Sequence, residues 1–236
     1  MEDAAYINEE NRSERVHCII LVDSSDSMNK RGKLDSLNQG MQSLKNALVE
    51  DTRAENLIRI MIIAFGGPNN FDGCTVLQNW TDGVDYEPPT IPRGVGLTPL
   101  GHALEVALAK LNEERSALES RGLTWRPRAW LYIITDGLAT DDGNWGSDSP
   151  DMLSRGVERV HFEQRASRLN VFPFGVDNAD FAQLRRIDLK GRAFRLTTSD
   201  FKDFFTFISK SVSAISRSSS GEKAEITFSN SIVIEC

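Results

Sequence analysis

The sequence predicts an α/β protein: a doubly wound, mostly parallel six-stranded sheet with helices on both faces. Two observations carry this. Strand-length apolar runs alternate with segments whose apolar residues recur every three or four positions, as expected of parallel strands joined by helical crossovers. The apolar runs are also unbroken and rich in β-branched residues, the pattern of strands covered on both faces rather than one.

The elements follow in order. His17–Val22 (H-C-I-I-L-V) is the first buried strand and runs into Asp23. Leu34, Leu37, Met41, Leu44 and Leu48 share one face of the first helix. Ile58–Phe65 is the second strand, closed by Gly66, Gly67 and Pro68, and Thr75–Gln78 is a weaker one. The prolines and glycines of Pro88–Gly96 make that segment a loop. A helix follows with Leu100, Leu104, Leu108 and Leu111 on one face, its start set near Thr98-Pro99 by an N-cap residue followed by proline. Arg128–Thr135 is a strand running into Asp136, and the loop Gly137–Pro150 leads to a helix over Asp151–Leu169. Val171–Val176 and Ala193–Thr197 are the remaining strands, with a short helix at Ala179–Ile187 between them. The last helix buries Phe201, Phe204, Phe205, Ile208, Val212 and Ile215, a stripe that reads as core. Residues 1–15 form a polar arm, 16–216 the folded domain, and 217–236 a serine-rich linker and a strand-like tail whose partner the sequence does not name.

Composition narrows the function. With 34 acidic against 27 basic side chains the formal charge is −7, which lacks the basic footprint that phosphate contacts require and argues against nucleic acid as a partner. Hydrophobic residues at 40% are enough for a packed core, which excludes a disordered chain. No apolar run approaches the roughly 20 residues needed to span a bilayer. Three scattered cysteines, Cys18, Cys74 and Cys236, do not make a disulfide framework, and Met1–Arg15 lacks the basic and apolar regions of a secretory signal. Together these point to a cytoplasmic protein.

In a doubly wound sheet, ligands bind beyond the carboxyl ends of the strands, where strand order reverses. Three loops at that edge carry oxygen donors. Asp23-Ser24-Ser25-Asp26-Ser27 is a D-x-S-x-S turn after the first strand, Gly96-Leu97-Thr98-Pro99 offers a hydroxyl at a helix start, and Thr135-Asp136-Gly137 offers a second carboxylate. All are hard donors, suited to Mg²⁺ or Mn²⁺ rather than to zinc, which favours nitrogen and sulfur. Turns and helix caps use the same residue types, so the first loop alone has a purely structural reading as well.

D-x-S-x-S, a loop threonine and T-D-G at these spacings resemble the metal-ion-dependent adhesion site of von Willebrand factor A domains, over residues 16–216. Within that superfamily the chain is similar to bacterial TerY-type proteins of tellurite-resistance operons. The stretches that carry this are N-Q-G-M-Q-S-L, W-R-P-R-A-W-L-Y-I-I-T-D-G-L-A-T-D-D and F-K-D-F-F-T-F-I-S-K-S-V-S-A-I-S. The resemblance implies a Rossmann-like sheet and a divalent cation held by Asp23, Ser25, Ser27, Thr98 and Asp136. It further implies a protein partner that completes the metal's shell with an Asp or Glu, within a stress-response assembly that includes a kinase, a phosphatase or another Ter-type protein. Asp26 stands where the family usually has glycine, and Leu97 replaces the glycine of a Gly-Thr loop.

Other chemistries compete for the same residues. A phosphotransfer hydrolase that forms an aspartyl-phosphate needs D-x-D, and Ser25 stands at the second position. Gly94-Val95-Gly96 lacks the third glycine of a dinucleotide loop, and no H-E-x-x-H occurs. His102, one turn after Thr98, is either a surface helix residue or a neighbour of the metal. Asp141 and Asp142 are a solvated loop, a support for Asp136 or an additional contact to the cation. Asp26 and Trp145 are candidate partner contacts, Trp145 having packing under its loop as the alternative. No nucleophile or general base accompanies the donors, so the site reads as recognition rather than catalysis.

Overall fold

In a computed structural model of the chain, residues 15–67, 73–94, 96–123, 128–143, 151–197, 200–217 and 233–235 are described. The elements are β1 (Val16–Asp23), α1 (Lys33–Glu50), α2 (Thr52–Leu57), β2 (Ile58–Phe65), β3 (Cys74–Asp82), α3 (Leu100–Ser120), β4 (Ala129–Thr135), α4 (Met152–Arg165), β5 (Leu169–Val176), α5 (Phe181–Arg185), β6 (Ala193–Leu196), α6 (Phe201–Arg217) and β7 (Val233–Glu235). The strands lie in the order β3-β2-β1-β4-β5-β6-β7. The core from β2 to β6 is parallel, and β3 and β7 run antiparallel at its two edges. The six expected strands are present, and the tail adds the seventh by pairing with β6.

Strict alternation along each strand divides the core in two. Cys18, Ile20 and Val22 of β1, with Trp130, Tyr132 and Ile134 of β4, face α1 and α6. Ile19, Leu21, Leu131 and Ile133 face α3, α4 and α5. The phenylalanine stripe of α6 enters the first layer, where Phe204 packs edge-on against Tyr132 and Phe174. Phe201, Phe205, Ile208 and Val212 are buried as expected, while the side chain of Ile215 lies outside the described set. On the other face Glu163 of α4 ties α3 to the start of β5, accepting from Arg115 at 2.8 Å and from Arg168 at 2.8 Å.

Several boundaries differ from the sequence expectation for physical reasons. The helix expected over Asp151–Leu169 stops at Arg165: Ser167 takes a left-handed conformation (φ 57°) and Leu169 already belongs to β5. Without a glycine there, sequence offered no stop signal. Asp51 starts an unexpected short helix, α2, by accepting from the N–H groups of Arg53 and Ala54. The weak strand at Thr75–Gln78 is the middle of β3, an edge strand that reaches Asp82. Helix α3 begins at Leu100, and Thr98 does not cap it.

The loops at the carboxyl edge are braced against one another. Ser24 anchors the first loop to β2, its N–H and its hydroxyl both donating to the Phe65 carbonyl at 2.8 and 2.9 Å. The proline-rich loop is fixed on α1 by Asn38, whose carboxamide accepts from the Ile91 N–H at 2.8 Å, and Asn29 donates to the Gly94 carbonyl at 2.5 Å. Gly66, at φ 83°, turns the chain out of β2, and at Gly94 a side chain would overlap the carbonyl oxygens of Ser24 and Gly66. Such backbone-to-backbone contact leaves no room for a Cβ to relax. We expect Gly94→Ala to lower the unfolding free energy by about 3 kcal/mol, measured as a shift in the denaturant midpoint.

Candidate metal centre

Strand order reverses between β1 and β4, so their carboxyl ends flank a cleft that no crossover covers. Asp23, the last residue of β1, is fully buried there. Its Oδ1 accepts the Ser25 N–H at 2.8 Å and its Oδ2 accepts the Thr135 hydroxyl at 2.5 Å. From it a chain of oxygens crosses the cleft. The hydroxyls of Ser25 and Ser27 are 3.0 Å apart, and Ser27 donates to Asp136 Oδ1 at 2.5 Å.

Thr98 arrives from the loop before α3. Its N–H donates to the Thr140 hydroxyl at 3.0 Å, and the Thr140 N–H returns a bond to the Thr98 carbonyl at 2.9 Å. Capping of α3 falls instead to Asp141, which accepts from the N–H groups of Gly101 and His102 at 3.1 and 2.8 Å. The Thr98 hydroxyl is thereby released from the role its sequence position suggested. The position a Cβ would take on Gly137 marks the centre of the cluster: it lies 3.2 Å from Thr98 Oγ1, 3.8 Å from Ser27 Oγ and 3.9 Å from Asp23 Oδ2.

The geometry therefore gathers Asp23, Ser25, Ser27, Thr98 and Asp136 around one small space lined by two carboxylates and three hydroxyls. An oxygen-only set with few charges fits a hard divalent ion. Among the described residues no group of three or more His, Cys, Asp or Glu is placed to hold a metal, so hydroxyl oxygens would have to supply a large part of any coordination.

The remaining candidates sort differently. Asp26 is exposed and pairs with Lys30 at 2.9 Å one turn on. Asp141 is the cap of α3 rather than part of a solvated loop, and His102 contributes its backbone N–H to that cap. Asp142 bridges to Asp151 ahead of α4. Trp145 lies outside the described residues. Two residues take roles that the sequence reading did not give them. Thr135, read as a strand former, donates across to Asp23. Lys33, the first residue of α1, forms an ion pair with Asp136, and its ammonium is 3.9 Å from Asp177 just after β5. A cation in the first turn of a helix, where the macrodipole disfavours it, was the available signal.

Burial pushes the Asp23 carboxyl up to about 6; the bonds from Thr135 and Ser25 pull against this, while the charge of Asp136 adds to it. Burial also raises Asp141, opposed by the two N–H groups it accepts. In divalent-free protein, a carboxyl that titrates higher when folded removes stability as pH rises from its ordinary value of 3.8 toward 6. We expect carbon-13 NMR to place the Asp23 midpoint near 6, and Thr135→Val, which deletes a bond to the charged form, to raise it by about one unit.

Comparisons with known proteins agree on the fold. The family model described as von Willebrand factor type A domain matches residues 18–210. The pilus adhesin SpaC from Lactobacillus rhamnosus GG is similar with a TM-score of 0.65 and 14% identity, covering 86% of this chain and 31% of that one. The vWF domain of the type V pili tip protein Mfa5 from Porphyromonas gingivalis gives 0.57 and 13%, covering 91% of this chain and 99% of that one. Proximal thread matrix protein 1 from the mussel byssus, in a structure with a zinc-occupied MIDAS motif, gives 0.50 and 13%, covering 85% and 48%. The chain thus spans about a third of the adhesin and half of the byssus protein. No curated protein matches the sequence.

Proposed function

Given that the chain belongs to the von Willebrand factor type A domain family, we propose that it is a divalent-metal-dependent protein-binding module. The observation that carries this is the convergence of Asp23, Ser25, Ser27, Thr98 and Asp136 at the switch point, with the Asp23 carboxyl fully buried. These five would hold Mg²⁺ or Mn²⁺, directly or through water. When bound, such an ion offers an electrophilic position to an outside carboxylate, because three of its five ligands are neutral.

The chain's own residues prepare that position. Thr135 and the Ser25 N–H fix both oxygens of Asp23, and Ser27 fixes one oxygen of Asp136. Leu97, next to Thr98, and Leu138, two residues after Asp136, are 60% and 55% exposed and supply apolar surface close in sequence to the donors. Apolar surface near a polar anchor suits a protein surface better than a small anion. We therefore take the occupant to be an Asp or Glu of a partner protein. Binding rather than catalysis is supported by the donor set itself, which includes no imidazole or thiol to act as base or nucleophile.

We place the domain at residues 16–216, between the polar arm and the tail. The cytoplasmic reading rests on the small number and scatter of the cysteines; among the described residues no helix is long and apolar enough to cross a membrane. Membership of a stress-response or tellurite-resistance system, with a kinase, phosphatase or Ter-type partner, rests on the resemblance of the three sequence stretches alone. The Lys33–Asp136 ion pair favours a second reading, in which a tethered ammonium replaces the metal and the domain is structural.

Titration calorimetry separates them. We expect saturable binding of Mg²⁺ and Mn²⁺ by the chelated protein and its loss in Ser25→Ala/Ser27→Ala, with a partner captured from the native host in Mg²⁺ and released by EDTA. Heat-silent titrations together with EDTA-insensitive capture would establish the structural reading, and turnover of phosphate esters abolished by Asp23→Ala would establish a hydrolase.

A further inference from the structure

Resting on the metal reading above, we propose that Lys33 is a built-in competitor of the divalent ion for Asp136, and that Asp177 is the station to which its ammonium moves when the ion is held. Helix stability does not account for this lysine. It opens an 18-residue helix whose N-cap, Gly32, makes no side-chain cap bond, so the positive end of the macrodipole lies beside a positive charge. A carboxylate would suit that position, yet the residue is a lysine only 8% exposed.

The backbone delivers it there at a cost. Arg31 and Gly32 are both left-handed, at φ 57° and 72°, and this pair of turns carries α1 back toward the carboxyl edge. The ammonium then pairs with Asp136 Oδ2, while Oδ1 of the same carboxylate accepts from Ser27 at 2.5 Å. Asp136 is thus shared between the oxygen cluster and Lys33. The same ammonium is 3.9 Å from Asp177 Oδ2. Asp177 is held just beyond β5 in a left-handed conformation, φ 52°, with its carbonyl accepting from Arg195 at 2.5 Å. A second carboxylate within reach lets Lys33 leave Asp136 without stranding a buried charge.

The charge count gives the sign. Asp23 and Asp136 contribute two negative charges and Lys33 returns one positive, so the ion meets a site with half the charge its carboxylates alone would give. Two cations a few ångströms apart in a partly buried site repel strongly. Removing the ammonium therefore tightens metal binding, and removing Asp177 weakens it, but only while Lys33 is present.

The test is calorimetric titration of Mn²⁺ into the full chain and its variants, each first checked for a cooperative melt. We expect Lys33→Met to bind Mn²⁺ at least about tenfold more tightly than wild type and Lys33→Arg to stay near wild type. Asp177→Asn should weaken binding about threefold in the wild-type background and leave it unchanged in Lys33→Met. If Lys33→Met fails to melt cooperatively, Lys33→Gln takes its place. Wild-type binding that Lys33→Met leaves unchanged or weakens overturns the competitor while leaving the metal site standing. Absence of binding in every variant, Lys33→Met included, overturns the metal reading and the competitor with it.

Discussion

The structure turns on a carboxylate placed where the sheet gives it no water. Asp23 ends the interior strand β1, at the point where strand order reverses, with β2 on one side and β4 on the other. Burying an ionisable group there is unfavourable unless its oxygens are satisfied, and the surrounding loops are built to satisfy them. Ser25 turns its N–H inward, Thr135 donates from the neighbouring strand, and Ser24 fixes the turn to β2. The hydroxyl and carboxylate chain across the cleft follows from these constraints.

That dependence explains how much of the protein was legible in its sequence. Buried strands and amphipathic helices announce themselves locally, so the six strands, the larger helices and the residues just after β1 and β4 could be read from periodicity. Loop residues whose partners are distant could not. Thr135 looks like any β-branched strand former until β1 lies beside it, and Asp141 looks like a solvated loop until α3 brings two N–H groups to it. Lys33, one residue before the apolar stripe that begins at Leu34, drew no reading from the sequence. Its role is set by Asp136, 103 residues away. The tail was legible as a strand but not its place, because β7 has only three paired residues and nothing in V-I-E selects β6.

Family membership and the arrangement of donors answer different questions. The similar structures share the fold at identities where side-chain function does not transfer. Three local features bear on this chain's cleft: a charged residue in the first loop at Asp26, a leucine before the loop threonine, and the Lys33 ammonium paired with Asp136. The first points outward to Lys30 and leaves the cleft alone. The second adds apolar surface beside Thr98. Only the third alters the charge that an incoming ion meets.

The bracing of the loops has a mechanical consequence. The turn carrying Asp23, Ser25 and Ser27 is fastened to β2 through Ser24 and to Asp136 through Ser27, whereas Thr98 belongs to a separate assembly. There Thr98 and Thr140 bond each other both ways, Asp141 holds the start of α3, and the Asp141 carbonyl takes the Leu153 N–H of α4. Anything that bridged Thr98 to the first loop would tie that assembly to the end of the sheet. The first loop would gain little order of its own, and the change would be felt as reduced shear between the β1–β2 half of the sheet and the α3–α4 layer. Occupancy of the cleft is in this way coupled to α3 and α4, whose far ends never touch the site.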